Sequence, residues 1–206
     1  MPAPRLILAS RSPRRIELLT EAGYTFEIEP ADIDESDVPI ELSPADVARF
    51  LAQSKAMAIA GRHSDAANHV VVLGADTVIA VGPLMYGKAD SIDEARAMLI
   101  ALGGRRQEVL TGISICRPNQ PPVTFVERSI VEMRAMTEIE LAAYLASDQW
   151  RGKAGAYGIQ DHEPTSDPFV RLIEGEMTNV VGLPMNRVRQ MLAEAGISGT
   201  GNPACK

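Results

Sequence analysis

Four groups of residues have the types and spacing to handle a phosphorylated ligand. The first is Ser10-Arg11-Ser12-Pro13-Arg14-Arg15. Ser12-Pro13 predicts a helix start with proline in its first turn. A helix N-terminus offers unpaired N–H groups and partial positive charge, so anions bind well there. The hydroxyls of Ser10 and Ser12 and the guanidinium groups of Arg14 and Arg15 strengthen that reading, because arginine grips phosphate with two N–H groups at once. The glycine pattern and terminal Lys-Ser/Thr of a P-loop are missing. The plainer alternative is a capped helix bearing solvated arginines, although arginines in a first turn oppose the helix dipole.

The second group is Gly74-Ala75-Asp76-Thr77, read as the end of an apolar strand. A carboxylate there can hold a hard cation such as Mg²⁺ or take a proton from water; its alternative is a turn aspartate. Glu35, in the acidic loop Asp32 to Asp37, would complete a metal site if it came near Asp76, and is otherwise solvated. The third group is two lysines, Lys55 on a helix and Lys88 after Gly87, where glycine permits close backbone approach. The fourth is Gly152 to Gln160, small residues around Tyr157. Such a loop can pass close to a flat ligand and offer the Gln160 amide to a base edge, or be a surface loop.

The elements that must position these groups follow from periodicity and punctuation. Short buried strands are expected at Leu6–Ala9, Tyr24–Glu29 and Val70–Gly74, with Val78–Val81 as a separate strand after Asp76. Glu108–Cys116 and Val123–Met133 read as two long strands, and Phe169–Ile173 as a last one. Helices are expected from Pro13 to near Gly23, from Ser43-Pro44 through Lys55, from the capping boxes at Ser91 and Thr137, and from Pro184 through Leu192. Strands and helices alternate early, and two long strands pair later. That pattern indicates a mixed α/β sheet flanked by helices, curved around a cleft. Residues 1–195 are expected to form one domain and 196–206 a disordered tail.

Composition narrows the function further. Apolar residues make up 46% and charged residues 23%, ordinary for a globular protein. The net charge of −7 argues against nucleic acid as a partner, because that binding is driven by lysine and arginine neutralising phosphates. Only Cys116 and Cys205 are present, without metal-ligand spacing or a disulfide framework. No segment is apolar enough to span a membrane, and Leu6–Ala9 is too short for a signal-peptide core. A cytoplasmic location is expected.

Taken together, these segments resemble the Maf family of nucleotide pyrophosphatases. The specific pieces are Leu8-Ala9-Ser10 with Ser12-Pro13-Arg14-Arg15 and Glu17-Leu18-Leu19, then Gly74 to Thr77, Lys153 to Gln160, and Val180 to Pro184. Their order and spacing cover nearly the whole chain, Leu6 to about Leu192. The resemblance implies an inosine-triphosphatase-like fold with two lobes around a cleft. It implies hydrolysis of nucleoside triphosphates to the monophosphate and pyrophosphate with a divalent cation, Mg²⁺ or Mn²⁺, held by Asp76 and Glu35. Asp76, Lys55, Lys88 and Glu35 would be catalytic, and Ser10, Ser12, Arg14, Arg15, Thr77 and Gln160 would bind substrate. Arg14, Thr77 and Gln160 match the dTTP/UTP-type members. The 7-methyl-GTP members carry different residues there. A homodimer is a family-level expectation, and the family is also linked to arrest of septum formation, which makes a nucleotide-binding regulator the rival reading. The sequence departs from the family pattern at Ala89, Gln107 and Gly152, where proline, histidine and aspartate are common, and its stretch after Gln160 is longer.

Overall fold

A computed structural model describes residues 4–34, 38–39, 41–63, 69–161 and 167–200. In chain order its elements are β1 (Arg5–Leu8), α1 (Pro13–Glu21), β2 (Phe26–Ile28), α2 (Pro44–Arg62), β3 (Val70–Val81), β4 (Leu84–Tyr86), α3 (Ile92–Leu102), β5 (Arg105–Cys116), β6 (Val123–Met133), α4 (Glu138–Ala146), β7 (Val170–Glu174), α5 (Met177–Val181) and α6 (Met185–Glu194). The seven strands form one mixed sheet in the order β2-β1-β3-β5-β6-β7, with β4 also on β3. The mixed α/β sheet flanked by helices is the architecture the sequence pattern indicates. Among the described residues, no helix is long and apolar enough to cross a membrane.

The strand boundaries differ from expectation where it matters most. Val70–Gly74 and Val78–Val81 are not two strands but one, and Asp76 lies in its middle. The reason is the neighbouring strand β5, which pairs with β3 without a break from Val72 to Ala80. On the opposite edge β3 is covered only in part. β1 pairs with it in parallel from Val70 to Leu73, and β4 pairs antiparallel from Ile79 to Val81. Residues 74–78 therefore form a stretch of open strand edge beyond the carboxyl end of β1.

Helix α2 lies unusually close to the sheet. Ala48, Ala52 and Ala56, spaced every four residues, are fully buried on it. They face Gly74 and Gly112: a Cβ on Gly74 would come within 2.4 Å of the Ala52 carbonyl oxygen, and one on Gly112 within 2.1 Å of that of Ala48. Only glycine permits this approach.

Two apolar clusters account for most of the core. One joins Leu6, Leu8, Leu19, Leu183, Val188 and Leu192, and the other surrounds Trp150 with Leu99, Leu102, Met133, Leu145 and Tyr157; Leu18 packs against both. Residues 196–200, expected to belong to a disordered tail, are held by hydrogen bonds to the body of the fold. The Ile197 amide donates to the Leu192 carbonyl and the Gly196 amide to that of Ala193. With Gly196 at φ 80°, this is a glycine-terminated helix end that buries the following apolar residue. Ile197 is buried, and the Thr200 amide donates to the Gly23 carbonyl at 2.9 Å. Residues 201–206 lie outside the described residues.

Candidate active site

Asp76 and Thr77 sit side by side on the open stretch of β3 and face opposite sides of the sheet, as successive strand residues must. Asp76 pairs with Gly112, the glycine under α2, and Thr77 pairs with Thr111 on the other face. The close approach of α2 brings Lys55 down to Asp76. Lys55 Nζ donates to Asp76 Oδ1 at 2.6 Å, and each side chain is only 9% exposed. Two predicted catalytic residues, 21 positions apart, are thus in contact. Glu35 lies outside the described residues.

On the other face Arg15 organises the backbone around Thr77. Its Nε donates to the Gly182 carbonyl at 2.8 Å, Nη1 to the Ala75 carbonyl at 2.8 Å and to Ser10 Oγ at 3.3 Å, and Nη2 to Thr77 Oγ1 at 3.1 Å. Arg15, expected to bind substrate beside Arg14, thus has its guanidinium turned toward the backbone around Thr77. The physical reason lies in the helix: Arg15 and Leu19, one turn apart, are the buried residues of α1. Arg15 satisfies the Ala75 carbonyl, which the end of β1 leaves without a strand partner. Ser10 Oγ also accepts from the Ser12 amide at 3.2 Å. Ser12 occupies the N-cap position but makes no side-chain cap bond, so the first turn of α1 is not closed off by its own hydroxyl.

Arg14 points elsewhere. It is partly buried, and its Nε has no hydrogen-bond partner. Burial lowers the pKa of its guanidinium from the ordinary value, opposed by the nearby Asp161 carboxylate and by Tyr144. A partly desolvated guanidinium at a helix N-terminus, its Nε without a hydrogen-bond partner, suits an incoming anion or a carbonyl-rich ring edge. Asp161 beside it accepts from Tyr144 Oη at 2.6 Å and pairs closely with Lys153. These contacts fasten both ends of the loop that carries Gln160, whose side chain is exposed. The same loop is tied to Lys88, also exposed, by an antiparallel bridge between Lys88 and Ala154 and by the Gly155 amide donating to the Gly87 carbonyl at 2.8 Å. Ala156 there has φ 60°, a left-handed conformation unfavourable for a residue with a Cβ.

Sequence reasoning missed several residues that shape the site. Thr111 and Asn179 support Thr77, and Asp161 and Tyr144 hold the Gln160 loop. Gln107 donates to the Leu102 carbonyl at 3.0 Å and accepts from Tyr157 Oη at 2.7 Å, which seats Tyr157 in the core. One signal was available: Arg15 stands four residues before the apolar Leu19, which marks it as inward-facing. Asp161 and Asn179 come together with their partners only through loop and helix placement.

For a metal, the relevant donor is Asp76. Among the described residues no three or more of His, Cys, Asp and Glu converge, so they build no closed cage of protein ligands. A carboxylate is a hard oxygen donor with room for more than one partner. It fits a cation such as Mg²⁺, which commonly binds through one or two carboxylates together with substrate phosphates.

The chain is similar to known proteins over nearly its whole length. A family profile described as "Maf-like protein" matches residues 5–195. The dTTP/UTP pyrophosphatase of Agrobacterium fabrum is 42% identical over 199 residues, covering 95% of this chain and 94% of that protein. That of Bacillus thuringiensis is 41% identical over 196 residues, covering 95% and 98%. Among solved structures, the Ham1 protein of Staphylococcus aureus aligns with a TM-score of 0.52 at 16% identity, covering 92% of this chain and 98% of that one. A Ham1 protein from Coxiella burnetii gives 0.52 at 14%, covering 93% and 99%. At such identity these two likenesses show the fold alone.

Proposed function

The chain belongs to the Maf family, and from that premise we propose that it hydrolyses dTTP and UTP to the nucleoside monophosphate and pyrophosphate. The observation that carries this reading is the buried Lys55–Asp76 pair at the open edge of β3. Arg14 and the Gln160 loop complete the proposed site from the other face. In this reading the substrate crosses the strand edge, with its phosphates toward Asp76 and its base toward Thr77, Arg14 and Gln160.

Asp76 would orient a water, and take its proton, for attack on the α-phosphorus. Lys55 holds that carboxylate in one position by its hydrogen bond. Lys55, Lys88 and the N-terminal turn of α1 offer positive charge to the triphosphate, and charge grows on the departing pyrophosphate as the bond breaks. A divalent cation, Mg²⁺ or Mn²⁺, held by Asp76 and phosphate oxygens would add neutralising charge there. Glu35 is proposed as a second carboxylate of the same site.

The deciding experiment measures pyrophosphate and monophosphate release from dTTP, UTP, CTP, GTP and 7-methyl-GTP, with Mg²⁺ and with Mn²⁺. Preferential turnover of dTTP and UTP is expected. Release of orthophosphate, a preference for 7-methyl-GTP, or binding without turnover would each overturn the reading, the last in favour of a regulator.

A further inference from the structure

Thr77 Oγ1 has two polar neighbours whose donor roles are constrained. Arg15 Nη2, at 3.1 Å, can only donate to it. Thr111 Oγ1, at 3.0 Å, could in isolation donate or accept. Thr111 is completely buried, however, and its hydroxyl lies 3.1 Å from the Asn179 backbone carbonyl, which can only accept.

A hydroxyl has one proton. With Thr111 donating to Asn179, Thr77 donates to Thr111 and both bonds are made. With Thr111 donating to Thr77 instead, its bond to Asn179 is lost and the Thr77 proton needs another acceptor. The first arrangement keeps one more buried hydrogen bond and is therefore preferred. The far end of the chain is fixed, because Asn179 Nδ2 donates to the Val109 carbonyl at 3.1 Å and to Ser129 Oγ at 2.9 Å. Thr77, partly exposed, is left with an acceptor lone pair and no proton to offer a ligand.

We infer that Thr111 is a positioning residue that makes Thr77 an acceptor only, so that Thr77 suits the N3–H of a uracil or thymine ring and not the unprotonated N3 of cytosine. This rests on the reading above that Thr77 meets the base of a pyrimidine nucleotide. In that reading the Thr77-Thr111-Asn179 relay sets the sense of the contact, and Gln160, which can donate and accept, is left to adapt to the rest of the ring edge.

The test compares the UTP to CTP ratio of kcat/KM in the natural chain and in Thr111→Val, Thr111→Ser, Thr77→Val and the Thr77→Val, Thr111→Val double variant. UMP and CMP binding by calorimetry gives the same ratio without turnover. Removing the Thr111 hydroxyl frees the Thr77 proton, so Thr111→Val is expected to lower the ratio about tenfold, the value of one hydrogen bond, chiefly by improving CTP. Thr111→Ser restores it, and in the Thr77→Val background Thr111→Val changes nothing. Should Thr111→Val fail to fold by circular dichroism, Thr111→Ala is read in its place. An unchanged ratio in the folded variant, equal losses for UTP and CTP, or a natural chain that does not distinguish the two bases would each overturn the inference. Failure to hydrolyse any triphosphate would sink the proposed activity separately, and the UMP and CMP binding ratios would still judge Thr111.

Discussion

Lys55 Nζ lies 2.6 Å from Asp76 Oδ1, and that contact joins the middle of α2 to the middle of β3 with both side chains nine-tenths buried. Taking two charges out of water is costly, and a buried pair often contributes less stability than apolar residues of the same volume would. The alanine–glycine packing of α2 on β3 and β5 nevertheless holds this pair in place.

Asp76→Asn is expected to lower kcat about 10²- to 10⁴-fold, the usual contribution of a positioned base. Lys55→Met should act differently. It leaves a carboxylate buried without its partner, which costs about 3–5 kcal/mol, so thermal unfolding should drop markedly. Near-normal kcat in folded Asp76→Asn would remove Asp76 from the chemistry. An unchanged melting temperature in Lys55→Met would mean the pair is solvated in solution.

Arg14→Ala should weaken triphosphate handling by about 1.5–3 kcal/mol, the range for a charge-assisted hydrogen bond. Arg14→Lys should rescue little, because the planar fork of donors is lost even though the charge remains. Arg15→Ala predicts a different outcome. Four donor contacts vanish at once around Gly182, Ser10, Ala75 and Thr77, so stability should fall along with activity. Steady-state kinetics beside urea unfolding separates the two arginines. Equal effects on both measurements would contradict their different environments.

Two buried phenols predict behaviour at high pH. Tyr144 is raised above the ordinary tyrosine value, first by burial and then by its hydrogen bond to Asp161. Tyr157 is raised by burial alone. A raised tyrosine pKa means the folded state favours the protonated phenol. The stability these groups contribute is complete below about pH 10, where the unfolded phenol titrates, and is lost as pH rises beyond it. Tyrosinate absorbance should show Tyr144 and Tyr157 ionising only as the protein unfolds, and Tyr157→Phe should delete one of those late steps. Reversible ionisation of all four tyrosines in the folded chain near pH 10 would refute this.

Much of the fold was legible because local rules decide it. Gly23 ends α1 with the Tyr24 amide on the Leu19 carbonyl, as its position after an apolar periodic run suggested. Gly196 ends α6 by the same bonds, yet a polar, glycine-containing continuation looked like a tail, and Ile197 was its one large apolar residue. The β3 error has a similar origin. Turn-forming Gly74 and Asp76 suggested a break, but the glycine is there for the approach of α2, and β5 carries the strand through. The catalytic candidates Asp76 and Lys55 were legible as residue types at element positions. Their contact was not, since it depends on how close one helix lies to the sheet. The direction of Arg15 and the grip of Asp161 on Lys153 and Tyr144 likewise arise from tertiary placement.

The loop carrying Gln160 offers the sharpest separation between reading a base and merely holding a shape. Gln160 is exposed at a turn, while its neighbour Asp161 is largely buried between Lys153 and Tyr144. A Cβ on Gly158 would come within 2.8 Å of the Asp161 carboxylate, so the turn is closed tightly over that side chain. If Gln160 reads the base, Gln160→Ala should change the ranking of dTTP and UTP against GTP, because a site built to pair with polar edges discriminates by leaving them unpaired. Asp161→Asn should leave the ranking intact. It keeps an acceptor for Tyr144 but removes the charge opposite Lys153, so the loop loosens and KM rises for every substrate alike. Tyr144→Phe should resemble Asp161→Asn in kind and be smaller, since one neutral donor is lost. Competition kinetics with mixed dTTP, UTP and GTP checks all three variants. If Gln160→Ala lowered every substrate equally while Asp161→Asn reordered them, Asp161 and not Gln160 would be the group that meets the base.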